Sequence, residues 1–418
     1  MNVHPTLTSV PDIPEPPSPQ GHPSLTFFPE LEAARGVAAL VVVIFHVFVT
    51  LEPKRGVFET HNLAQAISNF VLTGLFNGSG AVTFFFVLSG FVLGISLEHV
   101  RAVALAGYIE FAVKRLFRIM PAVWASIALA LLIQFWFFRS TFGRGEMVHM
   151  LLLQDIRLNG PLWSIKIELF ASFFYPFLLF ASRSLGIVFN LIGLWFIVGY
   201  GLEDTPFVFR YMAAFHLGIL VPLLGRPIVG WLHPAAARWL LAGAFVAFAL
   251  AAHFSRLELL NVKRQIAIEC FTSFYFVSFI LYANSTATSR LLTSSPLRWL
   301  GKISFSLYAL HFPLHSLVFS KVADWFGDGF NAYYPLPQFI ALPFVVGLSL
   351  LAAWGSNHLV ERPIMNWGRL LSRKAGALIG DIQAKGIRSF TIERVPTLLL
   401  IAATIVLIRI IYLAAWQL

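Results

Sequence analysis

The sequence predicts an all-α protein: a polytopic integral membrane helical bundle with a core of about ten helices and one additional transmembrane helix at the carboxyl end. Three observations carry that expectation. Of the 418 residues 58% are apolar and only 12% charged, with mean hydropathy +0.76, more apolar surface than a soluble core absorbs. Eleven segments, starting near Gly36, Gly80, Ile119, Pro161, Leu185, Phe207, Trp239, Ile266, Ser304, Phe339 and Val395, are long and apolar enough to cross a bilayer. With the amino terminus inside, the inner loops collect 18 of the 30 Lys and Arg and the outer loops 9, the bias that sets membrane orientation.

The elements follow in chain order. Residues 1–29 hold eight prolines, from Pro5 to Pro29, and almost no positive charge before the first apolar run. This reads as a disordered tail that stays on the cytoplasmic side, not as a cleavable secretory signal. Residues 30–365 are the membrane domain, 366–394 a basic cytoplasmic segment, and 395–418 the additional span, so an odd number of crossings leaves the carboxyl terminus outside. Basic clusters mark the inner face: Lys114, Arg115 and Arg118 before the third span, and seven cations between Arg362 and Arg394 after the tenth. The stretch from Gln65 to Phe76 is apolar but short and is expected at the interface.

Composition also excludes classes of function. A net charge of +10 points to nucleic acid in a soluble protein, but here loop asymmetry accounts for it; membrane lipid, not nucleic acid, is the expected partner. The lone cysteine, Cys270, lies in an apolar run and rules out a disulfide framework or a cysteine metal site. No zinc spacing, phosphate-binding loop, dinucleotide fingerprint or nucleophile elbow occurs, and no metal is expected.

Ionisable groups at membrane depth are costly, so each is a candidate for function. Arg35 and His46 on the first span are eleven positions apart, hence on one helix face and roughly 16 Å apart along the axis. A deep imidazole stays neutral cheaply and is then a competent general base; the plainer reading is a histidine bonded to a neighbouring helix. The fourth span opens Trp163-Ser164-Ile-Lys166-Ile-Glu168 and brings Glu168 in from the outer face. Glu168 either orients an imidazole or accepts a substrate hydroxyl, or it forms a structural salt bridge; Lys166, two residues away, lies on a different face. The ninth span carries Ser304, Tyr308 and His311. Three separated spans thus deliver His46, Glu168 and His311 to similar depth. Arg115 and Arg118, at i and i+3, can fork onto phosphate oxygens or simply satisfy the inner-face rule. Weaker candidates are Arg210, His216, Glu269, His358 and Arg409, with Glu269 and Arg409 a possible intramembrane ion pair. Phe84 to Phe91 places Ser89 and Gly90 where helices approach closely.

Taken together, these pieces resemble the acyltransferase 3 family of integral membrane acyltransferases. Arg35 and His46 are similar to its Arg-x10-His pair, and the Phe84 to Gly90 run to its second-helix motif. Arg115-x2-Arg118-Ile-x-Pro121, Trp163-Ser164-x3-Glu168, Gly301-x2-Ser304-x3-Tyr308-x2-His311 and Glu361-x-Pro363 match further family segments. The resemblance spans roughly residues 30 to 365. It implies acetyl-CoA, or another short acyl-CoA, as cytoplasmic donor, and transfer of the acyl group to a hydroxyl of a carbohydrate acceptor such as a polysaccharide, lipid-linked glycan or lipo-oligosaccharide. It further implies that Arg35, Arg115 and Arg118 face the donor phosphates, that His46 is the catalytic imidazole, and that the protein resides in a bacterial cytoplasmic (inner) membrane. On this expectation the pantetheine arm threads along the Arg35 to His46 face, and His46 either deprotonates the acceptor or is itself acylated. Glu168 and His311 support the chemistry, with Trp163, Ser164, Lys166, Ser304 and Tyr308 around them. The additional span departs from the family pattern, as does the lack of a carboxyl-terminal esterase-like domain that some members carry.

Two rival functions differ in class or type. A proton-coupled transporter or flippase would use the intramembrane His and Glu as a relay, but there is no internal repeat and the paired arginines are unexplained. The other large type of membrane O-acyltransferase carries its histidine late in the chain, whereas His46 lies in the first span.

Overall fold

A computed structural model describes residues 28–49, 67, 70–72, 74–97, 105–195, 198, 207–256, 260–327, 330, 333, 335–385 and 395–416. The proline-rich tail up to residue 27, part of the Gln65 to Phe76 stretch, and Arg388 and Arg394 of the basic segment lie outside these residues. Among them there is no strand; the helices are α1 (Pro29–Val49), α2 (Gly78–Ser96), α3 (Leu105–Phe137), α4 (Arg144–Leu151), α5 (Leu162–Trp195), α6 (Phe207–Leu220), α7 (Arg226–Trp231), α8 (Pro234–Arg256), α9 (Val262–Tyr282), α10 (Thr286–Leu292), α11 (Ser295–Phe326), α12 (Leu336–Ser356), α13 (Arg362–Lys385) and α14 (Val395–Trp416).

Nine helices among the described residues are long and apolar enough to cross a membrane, and Thr397–Ile410 within α14 is a shorter apolar helix. The fourth and fifth sequence segments lie end to end in α5, which is two helices meeting at a kink; most of the fifth segment beyond Trp195 lies outside the described residues. A break inside α5 falls at Gly186, with φ +59° and ψ −138°, next to the expected boundary near Leu185. Only a residue without a Cβ adopts that backbone cheaply.

Small residues set the closest helix contacts, as lipid-embedded packing requires. A Cβ on Gly36 of α1 would lie 2.5 Å from Gly301 N and 2.7 Å from Leu300 C of α11, so the two backbones touch. Gly90 of α2 meets the Phe215 backbone of α6 in the same way, and its carbonyl accepts from the Tyr175 hydroxyl. A π segment, Asn357–Glu361, joins α12 to α13, and Asn357 Nδ2 donates to Lys302 O at 3.2 Å. The basic segment after the tenth span is itself largely helical. In α13, Gly368 packs on Phe117 and Gly376 on Glu110, while Ala375 and Leu378 join Ile109 and Val113 in a small core; Arg369, Arg373 and Lys374 are exposed.

The expected pairing of Glu269 with Arg409 is not formed. The fully buried Glu269 accepts from Ser79 Oγ at 2.9 Å, Gln265 Nε2 at 3.0 Å, Asn77 Nδ2 at 3.1 Å and Thr83 Oγ1 at 3.2 Å. Arg409 lies elsewhere, lining a separate apolar cavity with Tyr108, Phe170 and Phe174. Four neutral donors meet the hydrogen-bonding demand of the buried carboxylate, so Glu269 ties α2 to α9.

Candidate active site

Helices α1 and α11 run in parallel from the Gly36–Gly301 crossing. Each carries a histidine ten residues further on, His46 and His311, and ten helical residues rise about 15 Å. Equal spacing on parallel helices brings the two rings to one level: His311 Nε2 lies 3.2 Å from His46 Nδ1. The neighbouring acceptors fix the tautomers. His46 Nδ1 also faces the Val42 carbonyl at 2.9 Å, and His311 Nδ1 faces the Tyr308 carbonyl at 2.6 Å. A carbonyl only accepts, so both Nδ1 atoms carry protons, His311 Nε2 accepts from His46 Nδ1–H, and the lone pair of His46 resides on Nε2. His311 is fully buried.

At the basic end of the same two helices, Arg35 Nε donates to Ser304 Oγ at 2.9 Å, and Ser304 in turn donates to Gly301 O at 2.7 Å. Arg35 thereby shares the α1–α11 crossing with Gly36. Two further guanidinium groups enter from α3. Arg115 donates through Nη2 to Glu168 Oε1 at 2.6 Å and through Nε to Ser172 Oγ at 2.9 Å; Ser89 Oγ reaches the same Glu168 oxygen at 3.4 Å. Arg118 donates to Met365 Sδ at 3.2 Å, with its Cζ 6.0 Å from the Phe305 ring centroid. Arg35, Arg115, Arg118, Glu32 and Glu168 line a chamber of about 340 Å³. A narrow recess of about 50 Å³ continues from it, sharing Arg35, Ser89, Glu168 and Phe305 and reaching Ser164, Ser304 and Tyr308. Tyr308 is one helical turn short of His311, their ring centroids 5.8 Å apart.

The far side of the recess is held by a proline and its remedy. Pro313 in α11 has no N–H, so the carbonyl four residues back, that of Ala309, loses its helical donor. Asn159 Nδ2 replaces it at 2.8 Å. Directly after Asn159, the Pro161 carbonyl accepts from Tyr308 OH at 3.1 Å and from Ser164 Oγ at 3.0 Å, and the two hydroxyls are 2.6 Å apart. The loop before α5 therefore clamps the stretch of α11 that carries His311.

Several sequence expectations shift in detail. Glu168 does not orient an imidazole: its carboxylate is turned to Arg115 and Ser89, and the group bonded to His46 is His311. The register of α5 decides this: Glu168 stands in the arginine chamber with Arg35, which is roughly 16 Å along α1 from His46, so it does not share the level of the two histidines. Lys166 is buried and makes no ion pair with Glu168, as their two-residue spacing demands. Trp163 packs on Tyr211, centroids 5.3 Å apart, and lines neither the chamber nor the recess. Neither cavity is lined by His46 itself; they end at Tyr308. Of the weaker candidates, His216 abuts Gly193 and Phe189, His358 faces the Trp354 carbonyl, and the Arg210 side chain lies outside the described residues. The sequence reading gave Ser89 a packing role only and missed Asn159, Ser172, Phe305 and Met365. Only Asn159 had a legible signal, the unsatisfied carbonyl that Pro313 must create.

Comparison with curated proteins finds no match, and comparison with solved structures finds none. The acyltransferase 3 family model, described as an acyltransferase domain, matches residues 28–358, the stretch that supplies both histidines and all three arginines of the site. The chain therefore belongs to the acyltransferase 3 family and is a membrane acyltransferase.

Proposed function

We propose that the protein transfers an acetyl or other short acyl group from cytoplasmic acyl-CoA to a hydroxyl of a cell-surface or exported carbohydrate, from a bacterial cytoplasmic membrane with its amino terminus inside and its carboxyl terminus outside. One observation carries this reading: an arginine-lined chamber, a narrow recess and a bonded histidine pair follow one another along α1 and α11. Guanidinium groups suit the phosphates of CoA because they form charge-assisted, forked hydrogen bonds. The recess, about 50 Å³ against 340 Å³ for the chamber, is narrow, and this favours a short acyl group over a long chain.

The chemistry follows from the tautomers. His46 Nε2 takes the proton of the acceptor hydroxyl as its oxygen attacks the thioester carbonyl; the C–S bond breaks, and the proton passes to the departing thiolate. While His46 is an imidazolium, its Nδ1–H donates to the neutral His311 Nε2 at 3.2 Å, and His311 is anchored on the Tyr308 carbonyl at 2.6 Å. His311 holds the ring in its productive tautomer, the orienting role a third group plays beside a catalytic histidine.

The test uses protein reconstituted in liposomes, radiolabelled acetyl-CoA and surface glycan as acceptor. Wild type forms an alkali-labile ester on the glycan; His46→Ala, inserted to the same extent, forms none. Undiminished esterification by His46→Ala, or a wild type that labels no acceptor from acyl-CoA, overturns the proposal.

A further inference from the structure

A second chamber of about 260 Å³ adjoins the first, and the reaction above leaves it unused. Its chemistry-bearing lining is Glu110, Lys114, Arg115 and Arg118 of α3 with Met365 and Arg369 of α13. Arg115 and Arg118 line both chambers and form their common wall. Four cations line it beside the single carboxylate of Glu110; with Arg115 paired to Glu168 three remain against one, so this space attracts an anion. Two details strengthen that point. Arg118 donates to a thioether and lies over a ring face; the buried Glu361 carboxylate is within its electrostatic reach but forms no hydrogen bond with it among the described residues, and a thioether is a weak acceptor, so guanidinium donors remain for a ligand. Arg369, exposed, donates to Asn366 Oδ1 at 2.8 Å and is spaced i, i+4 from Met365, so both stand on the face of α13 turned to α3. The two chambers together reach the scale of small-ligand pockets, about 300 to 1,000 Å³.

We propose that this second chamber binds the 3′-phosphorylated adenosine end of the CoA donor, with Lys114 and Arg369 on the 3′-phosphate and Arg118 on the diphosphate between the chambers. The pantetheine arm then occupies the first chamber. The inference rests on the acyl-CoA reading above and adds a binding element to it: α13 begins after residue 358, where the family match ends. The basic segment is thus part of the donor site and serves more than membrane orientation.

The experiment compares KM for acetyl-CoA and for acetyl-dephospho-CoA, which lacks only the 3′-phosphate, in the full-length reconstituted protein. Wild type favours acetyl-CoA about tenfold, the worth of one charge-assisted contact. In Arg369→Ala and Lys114→Ala that ratio falls toward one, and Arg369→Lys restores part of it. A ratio that stays at the wild-type value in both alanine variants overturns the proposal. So does a shift of both KM values together with the phosphatidylglycerol content of the liposomes, which assigns the cations to a lipid headgroup. A wild type active with acetyl-CoA but indifferent to the 3′-phosphate refutes the second chamber alone, whereas a wild type that uses no acyl-CoA refutes the donor reading as well.

Discussion

Gly36→Ala tests the idea that the α1–α11 crossing sets the histidine pair. The added methyl would stand 2.5 Å from Gly301 N, 2.7 Å from Leu300 C and 2.9 Å from Gly301 Cα, where ordinary contact begins at 3.4 Å. All three obstacles are backbone, so no rotamer change relieves them, and the helices must part by about 0.9 Å. Overpacking of this kind costs about 1 to 3 kcal/mol, which a bundle of this size survives. The chemistry is less tolerant. The 3.2 Å link between His46 and His311 already stands at the upper end of hydrogen-bond range, and such a separation breaks it. A displacement near 1 Å in a catalytic group lowers rate about 100-fold. Acyl transfer in liposomes should therefore fall by about that factor, with wild-type membrane insertion and elution from size exclusion. Gly347→Ala, where a Cβ meets nothing within 4 Å, is the control and should retain wild-type rate. A fully active Gly36→Ala protein would refute the link between the crossing and the imidazole pair.

Two further outcomes follow from the same geometry. Arg115→Ala leaves Glu168 without its 2.6 Å partner and should lower stability to thermal unfolding in detergent by about 2 kcal/mol, whereas Arg369→Ala, which gives up only an exposed bond to Asn366, should unfold within about 0.5 kcal/mol of wild type; equal losses contradict the assigned partners. Asn159→Ala strips the Ala309 carbonyl of its 2.8 Å donor, and Asn159→Asp does the same because a carboxylate cannot donate. Both should lose about 1 to 3 kcal/mol and reduce kcat with little change in donor KM, as steady-state kinetics will register; a KM effect alone places Asn159 in the donor site instead.

The sequence by itself determined that the chain is a helical membrane protein, because apolarity and segment length are local properties that the bilayer reads directly. It also contained more of the site than was drawn from it. Gly36 and His46 are separated by the same ten residues as Gly301 and His311, and that shared spacing is what levels the two rings once the helices cross in parallel. Tertiary structure alone decided which groups meet. By sequence position Glu168 is expected at the level of the histidines, but the register of α5 sets it among the arginines, where it pairs with Arg115. Glu269 and Arg409 are opposite charges within apolar helices, yet Asn77, Ser79, Thr83 and Gln265 satisfy the carboxylate. The basic segment after Glu361 read as an orientation signal, and packing on α3 made it a wall of the second chamber. The physical reason is common to all three: position along one helix is local, but partnership depends on the rotation and register of two, fixed by close contacts between residues far apart in the sequence.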